Sequence, residues 1–335
     1  MTNALPSPAP PVSRLALIQE PVKDRLDGVM EVIRRIVISD FDLLEDVNDV
    51  LLRMRGKLFR PTLLLLVNQV GGHRHKDALS LAAAVELVHL ATLVHDDAVD
   101  HSVLRRGLPT VNHLWNHQVA IITGDYLYSR SVMELVRLGH LDAIGALARA
   151  SNEMSVGELR QLTSFDALDF TEEDYYRLIS CKTASLMAAA CEMGALVGEE
   201  RWKEPFHRFG HALGMAFQVA DDLLDYEGSE EQTGKPVGHD LRERKVTLPL
   251  VDALRKVEGA PRERILDFFT RVDPTDAEIE EIVEIVRESG GLDYARSRAR
   301  AFADEAESAL EVVGETGPAM DSLRAAIDYA VERSR

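Results

Sequence analysis

Apolar residues recur every three or four positions through most of the chain, and no segment alternates apolar and polar residues as a half-buried strand would. This pattern predicts an all-α fold. The chain has 335 residues, 46% of them hydrophobic, and no internal linker separates the helical segments. We therefore expect a flexible, proline-rich tail over residues 1–20 and one large helical domain over residues 21–335. The segments with helical spacing are 21–37, 43–54, 85–100, 124–136, 175–196, 209–225, 248–257, 265–272, 277–288 and 294–313.

Two of these helices end in an acidic triad of the form DDxxD. Positions i and i+4 of a helix lie on one face about 6 Å apart, so the outer carboxylates of a triad can hold one divalent cation, and hard oxygen ligands favour Mg²⁺. One triad alone is equally well explained as a solvated acidic helix end. Two triads at the same spacing, each after an apolar run and before a basic segment, predict two helices that share a metal site across a bundle. The triads are Asp96, Asp97 and Asp100, and Asp221, Asp222 and Asp225.

The overall charge and the cysteines restrict the partners and the location. A net charge of −18 at pH 7 disfavours nucleic acid, which needs a basic surface. Cys181 and Cys191 lie ten positions apart on one predicted helix, too far apart for a disulfide, which fits a reducing cytoplasm. No N-terminal signal is present, and apolar runs such as 63–67 are too short to cross a bilayer. We expect a cytoplasmic protein without stable membrane insertion.

Over roughly residues 20–335 the chain resembles the trans-isoprenyl diphosphate synthases, also called polyprenyl synthetases. The resemblance implies a helical bundle of the isoprenoid synthase type, with the active-site cavity between the two DDxxD helices. The chain departs from the usual GGKRxRP at Arg55 and Leu58, and it has Arg244 where the family usually has glycine. The stretches that carry the resemblance, all in family order, are GKLFRP (56–61), ELVHLATLVHDDAVD (86–100), RRGLPT (105–110), GDYL (124–127), KTASL (182–186), FQVADDLLDY (217–226) and GKPVGHDLRERKVTLP (234–249).

The resemblance implies a prenyltransferase that condenses isopentenyl diphosphate with an allylic diphosphate by ionisation, condensation and loss of a proton. It also implies a homodimer and an Mg²⁺-dependent enzyme with three ions in each active site, for which Mn²⁺ can substitute. The six aspartates would be metal ligands, and Lys182 and Lys235 would complete the catalytic set. Lys235 lies in a Gly-rich, charged segment that we expect to act as a lid.

Some of these residues have a plainer explanation when the sequence is taken alone. Lys57 and Arg60 would be a solvated basic pair beside a helix N-terminus, His89 a core histidine, and Lys182 a lysine that extends from an apolar helix to the surface. The resemblance favours binding roles instead. The implied substrate-binding residues are Lys57, Arg60, His89 and Arg106 for isopentenyl diphosphate, Arg105 and Thr183 for the allylic diphosphate, Lys245 for phosphate oxygens after lid closure, and Gln218 as support for a ligand or the carbocation. The C-terminal segment from Tyr329 to Arg335 would cover the isopentenyl site.

The helix before the first triad also bears on product length. Thr92, Ala91 and Val88 lie four, five and eight residues before Asp96 and would be the first wall positions that a growing chain meets. Their side chains are small, whereas related short-chain enzymes carry an aromatic ring at one of the first two positions. We therefore expect an all-trans product longer than geranylgeranyl diphosphate. The floor of the tunnel would be one of three residues on a facing helix, namely Met133, Leu135 or Val136.

Three alternatives remain beside this interpretation. The first is a short-chain synthase that makes farnesyl or geranylgeranyl diphosphate. A class I terpene cyclase also uses DDxxD, but its second metal motif is usually of the Asn-Ser-Glu type, and it has no need of Lys57, Arg60 and Arg106. A non-catalytic partner subunit would be expected to have lost some of the six aspartates, and all six are present.

Overall fold

The computed structural model describes residues 13–54, 56–163, 169–227, 237–271 and 273–332. Helices make up nearly all of this part of the chain, which confirms the all-α prediction. In chain order the helices are α1 (Arg14–Gln19), α2 (Lys23–Val37), α3 (Asp42–Arg53), α4 (Phe59–Gln69), α5 (Ala78–Val99), α6 (Val111–Leu114), α7 (His117–Leu138), α8 (Leu141–Thr163), α9 (Glu172–Ile179), α10 (Ser185–Leu196), α11 (Lys203–Glu227), α12 (His239–Arg242), α13 (Leu248–Lys256), α14 (Ala260–Thr270), α15 (Asp276–Glu288), α16 (Gly291–Val313) and α17 (Pro318–Val331).

Shorter elements connect these helices. Two strands, β1 (Leu104–Arg105) and β2 (Leu108–Pro109), pair antiparallel in a small hairpin after α5. A π-helical turn, Ser180–Ala184, joins α9 to α10 and corrects the prediction of one continuous helix over residues 175–196. Such turns break the regular backbone ladder and are frequent at functional sites. Short 3₁₀ turns lie at Glu20–Val22, Val70–Gly72 and Glu200–Trp202.

Local sequence explains where several helices begin and end. Thr171 and Asp174 form a capping box at the start of α9, since each side chain accepts a hydrogen bond from the other residue's backbone N–H, at 3.2 and 3.1 Å. Gly139 ends α7 with φ 76°, a left-handed conformation that glycine adopts without strain. Because α8 begins two residues later, at Leu141, α7 and α8 form a helical hairpin.

The helices α5 and α11 are central to the packing. α5 packs against α2, α4 and α7, and its side chains are buried on nearly every face until the last turns. α11 packs against α10 and α16. One cluster of buried side chains joins α1 to α8 with α10, α11, α16 and α17, and a second joins α9 and α11 with α12 to α16. Both DDxxD helices are therefore held by the core over most of their length.

One prediction about the N-terminal half needs correction. Residues 13–20 belong to the folded structure, because Ser13 caps α1 and Ile18 is buried, so the predicted tail is too long; its first twelve residues lie outside the described part. Pro61 is the third residue of α4, since the helix starts at Phe59. A proline there still breaks no backbone hydrogen bond of the helix. Both cysteines are free, as predicted.

One helix among the described residues, Ala78–Val99, has the length and the apolar composition to cross a membrane. The prediction from uninterrupted apolar runs did not identify it. In the fold, 67% of its most apolar window is buried against other helices. It is packed as a core helix.

Candidate active site

The two acidic triads lie at the carboxyl ends of the two central helices. Asp100 caps α5, and Asp221 to Asp225 fall within the last two turns of α11. The carboxyl end of a helix carries partial negative charge, so carboxylates there are unfavourable until a cation neutralises them. A cavity of about 840 Å³ is lined by Asp100 of the first triad and by Asp221 and Asp222 of the second. The predicted cavity between the two DDxxD helices is therefore present.

The three aspartates of the first triad do not point the same way. Burial raises the pKa of Asp96 to about 6, while the charge of Lys182 partly opposes the shift. Burial also raises the pKa of Asp100. Asp97 is turned into the protein, where both of its carboxylate oxygens accept hydrogen bonds from Nε of Arg105 at 2.8 and 2.9 Å. Asp96 and Asp100 thus border the cavities, and Asp97 is tied to the hairpin that follows α5.

Asp222 of the second triad is buried in a chain of hydrogen bonds. Its Oδ2 accepts from the hydroxyl of Tyr175 at 2.6 Å, and its Oδ1 accepts from Nε2 of Gln218 at 2.8 Å. Thr183 in turn donates to Oε1 of Gln218 at 2.8 Å. Burial, followed by the charge of Asp240, raises the pKa of Asp222 well above its usual value. The predicted residues Thr183 and Gln218 therefore reach the second triad.

Asp225 binds the backbone at the start of α12, on the carboxyl side of the segment predicted to be a lid. Its carboxylate accepts hydrogen bonds from the backbone N–H groups of His239 and Asp240 at 3.1 and 3.0 Å, at the start of α12. Lys245, after α12, lies 2.5 Å from Glu243 and 3.8 Å from Asp240. Lys245 lines the cavity of about 840 Å³ between the two triads, which we call the polar cavity. Lys235 lies outside the described residues.

Arg244 anchors the backbone between α12 and α13, on the carboxyl side of the segment predicted to be a lid. Its φ of 62° is in the left-handed region, where the family usually has glycine. Its guanidinium donates to the backbone carbonyls of Phe269 and Arg271 at the end of α14 and lies 5.8 Å from the ring of Phe269. These contacts hold a conformation that is strained for a non-glycine residue.

Lys182 is placed by the π turn between α9 and α10. Its Nζ is 2.6 Å from a carboxylate oxygen of Glu158 and 2.8 Å from Oε1 of Gln161, both on α8. Gly157 allows this approach, because a Cβ there would lie 2.7 Å from the Cβ of Cys181. Lys182 borders both the polar cavity and an apolar cavity beneath Asp96.

Arg60 and Arg106 interact with the buried carboxylate of Glu86, and both also lie near His89. The charges of Arg60 and Arg106 lower the pKa of Glu86, against a larger increase caused by burial. Burial, and then the neighbouring arginines, hold the pKa of His89 well below its usual value, so the ring is neutral near pH 7. Nε of Arg60 is buried and has no hydrogen-bond partner in the protein. Together with Lys57, these three basic residues form what we call the basic cluster.

Lys57 lies at the edge of the basic cluster, under the C-terminal helix. Its Nζ donates to the hydroxyl of Tyr329 at 3.2 Å and lies 5.9 Å from that ring. The Tyr329 ring is 5.7 Å from the ring of Phe59, which stacks on Phe217 at 5.8 Å. Tyr329 of α17 therefore lies over Lys57, at the edge of the basic cluster. Residues 333–335, the end of the segment expected to cover the isopentenyl site, lie outside the described part.

An apolar cavity of about 620 Å³ runs beneath Asp96. Val88, Ala91 and Thr92 line it from α5, which is where the sequence placed the first wall positions. The last turns of α5 add His95 and Asp96, and the π turn adds Lys182. The rest of the lining comes from α7 and α8 and consists of Asp125, Tyr128, Ala148, Ser151, Asn152, Met154, Ser155, Glu158 and Leu159.

The predicted floor of this cavity was wrong. Met133 and Val136 are each 61% exposed, and Leu135 is buried elsewhere in the core, so none of the three lines the cavity. Their prediction rested only on helical spacing along a helix expected to face α5. The structure assigns the opposite wall to Tyr128 and to α8, which sequence spacing did not identify.

Sequence reasoning also missed Glu86, Glu158 and Tyr175. Glu86 has a signal in the sequence, since it is the one charged residue within an apolar run of α5 and a buried charge needs partners. Glu158 and Tyr175 have none, because α8 and α9 carry many polar residues. Their contacts depend on how three helices pack.

Residues 41–286 match the model of the polyprenyl synthetase family. An all-trans-nonaprenyl-diphosphate synthase (geranyl-diphosphate specific) from Rhodobacter capsulatus is 37% identical over 89% of this chain and 92% of that protein. The octaprenyl diphosphate synthase of Escherichia coli is 35% identical over 96% and 99% of the respective chains. A short chain isoprenyl diphosphate synthase from Methanothermobacter thermautotrophicus is 33% identical over 91% and 98%. Similar proteins thus include both long-chain and short-chain synthases.

Among solved structures, a polyprenyl synthase from Caulobacter crescentus complexed with calcium and isoprenyl diphosphate is 34% identical, covers 97% of this chain and 99% of its own, and has a TM-score of 0.88. The likeness therefore extends over the whole described bundle, including both triads. The chain belongs to the polyprenyl synthetase family and is a prenyltransferase.

Proposed function

We propose that this prenyltransferase condenses isopentenyl diphosphate with an allylic diphosphate, in the presence of Mg²⁺, to give an all-trans polyprenyl diphosphate longer than geranylgeranyl diphosphate. The observation that carries the proposal is the junction of two cavities at Lys182. One is polar and is bordered by aspartates of both triads, and the other is apolar and extends beneath Asp96. A diphosphate head with a hydrocarbon tail needs these two environments side by side.

The donor set fits Mg²⁺. Asp96, Asp100 and Asp221 border the cavities with carboxylate oxygens, which are the hard ligands that Mg²⁺ prefers. When bound, Mg²⁺ supplies positive charge beside the oxygens of the allylic diphosphate. Asp97 and Asp225 bind protein groups in this arrangement and would exchange those partners to act as ligands. Asp222 would bind the metal while Tyr175 and Gln218 hold its carboxylate. We propose three ions in each site, with Mn²⁺ as a substitute.

The basic residues around the polar cavity assist departure of the allylic diphosphate. Lys182 and Lys245 line that cavity. Arg105 is held by Asp97, the neighbour of Asp96 in the first triad. Hydrogen bonds from cationic donors stabilise negative charge as it develops on the leaving group. Thr183 and Gln218 hold the adjoining wall, and Lys235 would be brought in by lid closure. We assign the final proton to the departed diphosphate.

Isopentenyl diphosphate is assigned to the basic cluster. Arg60 has a buried donor without a protein partner, and His89 is neutral, so each can donate a hydrogen bond to a phosphate oxygen. Arg106 lies at Gly56, where an added Cβ would be 3.1 Å from its guanidinium. The rings of Phe59 and Tyr329 form an apolar wall beside the basic cluster, and such a wall suits a five-carbon isopentenyl group.

The lining at Val88, Ala91 and Thr92 supports a long product, because no aromatic side chain narrows the cavity at these positions. The short distance along α5 from Asp96 to Val88 favours the short-chain alternative. Val88 is eight residues from Asp96, about 12 Å along the helix, which is comparable to only two or three isoprene units. A longer product must therefore continue past Val88.

We also propose a cytoplasmic homodimer. Helices α7 and α8 expose many large apolar side chains, and contiguous patches of this kind mark association surfaces. A second copy that covers this face would also close the side of the apolar cavity, since Leu159 belongs to both. The exposed side chains are Ile121, Ile122, Met133, Val136, Leu141, Val156, Leu159 and Leu162.

The test uses purified protein with labelled isopentenyl diphosphate, each allylic primer in turn and Mg²⁺, followed by chain-length analysis. Asp96→Ala and Asp221→Ala should abolish diphosphate release while circular dichroism stays that of the wild type. Asp142→Ala, at an exposed carboxylate at the start of α8, is the matched control and should retain activity. Absence of isopentenyl incorporation with every primer would refute the proposed reaction. Near wild-type release by either triad variant would refute the metal site.

A further inference from the structure

We propose that His75, Asp77 and His140 form a separate site for a transition-metal ion of the Zn²⁺ type. One ligand atom from each residue lies within 4.8 Å of the other two. His75 and Asp77 lie in the segment between α4 and α5, and His140 lies between α7 and α8. The site would fasten the α7–α8 corner to the start of α5.

The orientation of Asp77 is the first argument. Asp77 is the N-cap residue of α5, a position where an aspartate usually accepts a hydrogen bond from a backbone N–H of its own helix. Here it makes no such capping bond. Its Oδ2 is instead 3.0 Å from Nε2 of His140 and 3.8 Å from Nδ1 of His75. The carboxylate is thus directed at the two imidazoles.

The distances suit tetrahedral coordination. With metal–ligand bonds of about 2.0–2.2 Å, two ligand atoms of a tetrahedral Zn²⁺ site are about 3.3 Å apart. The two separations from Asp77, 3.0 and 3.8 Å, lie on either side of this value, and the ligand atoms of the two histidines lie within 4.8 Å of each other. The side chains of His75, Asp77 and His140 are 41%, 19% and 35% exposed, so an ion can enter and a water molecule can occupy the fourth position.

The ligand chemistry distinguishes this site from the acidic triads. Two imidazoles and one carboxylate favour Zn²⁺, Co²⁺ or Ni²⁺, whereas an all-carboxylate site favours Mg²⁺. Nδ1 of His75 accepts the backbone N–H of Asp77 at 3.2 Å, so that nitrogen is unprotonated, as a metal ligand must be. Because it has a single lone pair, it would exchange this hydrogen bond for the bond to the metal. On binding, Nε2 of His140 would release its proton to solvent and exchange its hydrogen bond to Asp77 for a bond to the metal.

The surroundings hold the ligands in place. The guanidinium of Arg25 donates to the backbone carbonyl of His75 at 3.3 Å and fixes that segment. Arg137 is the neighbouring positive charge that opposes a cation, since it interacts with Asp77. Glu134 binds Arg137 through two hydrogen bonds, at 2.9 and 2.6 Å, and offsets its charge. An ion here would stabilise the hairpin of α7 and α8 that forms one wall of the apolar cavity.

Metal-free protein, prepared with EDTA and dialysed, would be titrated with Zn²⁺ against a chromophoric chelator in millimolar Mg²⁺. We expect one equivalent per chain with micromolar or tighter affinity, a higher melting temperature, and visible absorption bands of tetrahedral Co²⁺ when Co²⁺ is used. The equivalent should persist in Asp96→Ala. His75→Ala and His140→Ala should weaken binding at least about tenfold and keep prenyl transfer with Mg²⁺.

His73→Ala is the matched control, because His73 lies in the same segment but outside the cluster. It should bind Zn²⁺ as the wild type does. Absence of stoichiometric binding in millimolar Mg²⁺ would overturn the proposal, and so would equal binding by the wild type and His75→Ala. His75 is partly exposed in a connecting segment, so that variant remains informative even if His140→Ala fails to fold.

Discussion

The hydroxyl of Tyr175 donates a 2.6 Å hydrogen bond to Oδ2 of Asp222, and both side chains are buried. Tyr175 lies on α9 and Asp222 on α11, so this contact fixes an aspartate of the second triad from a neighbouring helix. With Gln218 on its other oxygen, Asp222 has one defined orientation. A hydrogen bond of this kind orients a metal ligand and tunes its affinity.

Tyr175→Phe should therefore weaken the response to Mg²⁺. We expect the Mg²⁺ concentration for half-maximal activity to rise about tenfold, because Asp222 loses the donor that orients it. The rate at saturating Mg²⁺ should change much less. Steady-state kinetics over a range of Mg²⁺ concentrations measures both quantities.

Tyr176→Phe is the control for this experiment. Tyr176 is the next residue on α9, and its hydroxyl donates to Glu172 at 2.8 Å, away from both triads. Its Mg²⁺ response should equal that of the wild type. Equal responses of the Tyr175 and Tyr176 variants would mean that the hydrogen bond to Asp222 has no role in metal binding.

Lys57→Ala should raise KM for isopentenyl diphosphate much more than KM for the allylic primer. Lys57 lies under Tyr329 in the basic cluster, far along the chain from the allylic residues Lys182 and Thr183. Loss of a charge-assisted hydrogen bond costs about 1.5–3 kcal/mol, so KM for isopentenyl diphosphate should rise about tenfold or more. KM for the allylic primer should stay within about twofold. Initial-rate kinetics with each substrate varied in turn provides the measurement.

Lys23→Ala removes an exposed lysine of α2 and serves as the control, with both KM values expected to be unchanged. An equal rise in both KM values for Lys57→Ala would contradict the assignment of the basic cluster to isopentenyl diphosphate.

The sequence identified the triads and the wall of α5 because both depend on spacing within one helix. Asp97 shows the limit of that reasoning. It is next to Asp96, but the turn of the helix directs it to Arg105 on the following hairpin. The residues that hold Asp222 come from α9 and the π turn, and no periodicity predicts that a helix will contain such a turn.

The facing wall of the apolar cavity could not be predicted for a related reason. Helical spacing gives the faces of α7 but not which face is directed inward. Met133 and Val136 share a face that is exposed in this chain, while Tyr128 is directed at the cavity. The α1 helix was missed because its single fully buried apolar residue, Ile18, gives too little periodic signal.

His207 and His211, one turn apart on α11, should give stability profiles with opposite dependence on pH. A hydrogen bond to Glu192 raises the pKa of His207. Protonated His207 therefore stabilises the fold fully below about pH 6.5, and this stabilisation is lost as pH rises through the raised pKa. Burial lowers the pKa of His211, so the fold is favoured above about pH 6.5 and loses stability as pH falls.

Thermal unfolding from pH 5 to pH 9 tests this pair. The destabilisation caused by His207→Gln should be larger at the acidic end and should shrink toward pH 9. His211→Gln should remove part of the acid sensitivity of the wild type. If the two variants had the same dependence of stability on pH, the ion pair of His207 with Glu192 would not set the two histidines apart.

The final prediction concerns product length and follows from the geometry of the apolar cavity. Ala91 is five residues from Asp96 on α5, about 7.5 Å along the axis. Ala148 is ten residues from Glu158 on α8, which places it about 15 Å along the helix axis from the ion pair between Glu158 and Lys182. Both small side chains line the cavity. A phenylalanine at either position would fill space that the growing chain needs, at a steric cost of about 1–3 kcal/mol in stability.

The two variants should therefore give polyprenyl products of different lengths. Ala91→Phe should shift the product to farnesyl or geranylgeranyl diphosphate, and Ala148→Phe should shorten it less, because its ring lies deeper. Glu153→Phe adds the same ring at an exposed position of α8 outside the lining and should leave product length unchanged. Chain-length analysis of the labelled products distinguishes these outcomes. A wild type that stops at geranylgeranyl diphosphate would favour the short-chain alternative. If Ala91→Phe leaves the product of a long-chain wild type unchanged, the chain does not grow along α5, and the cavity beneath Asp96 is not the product tunnel.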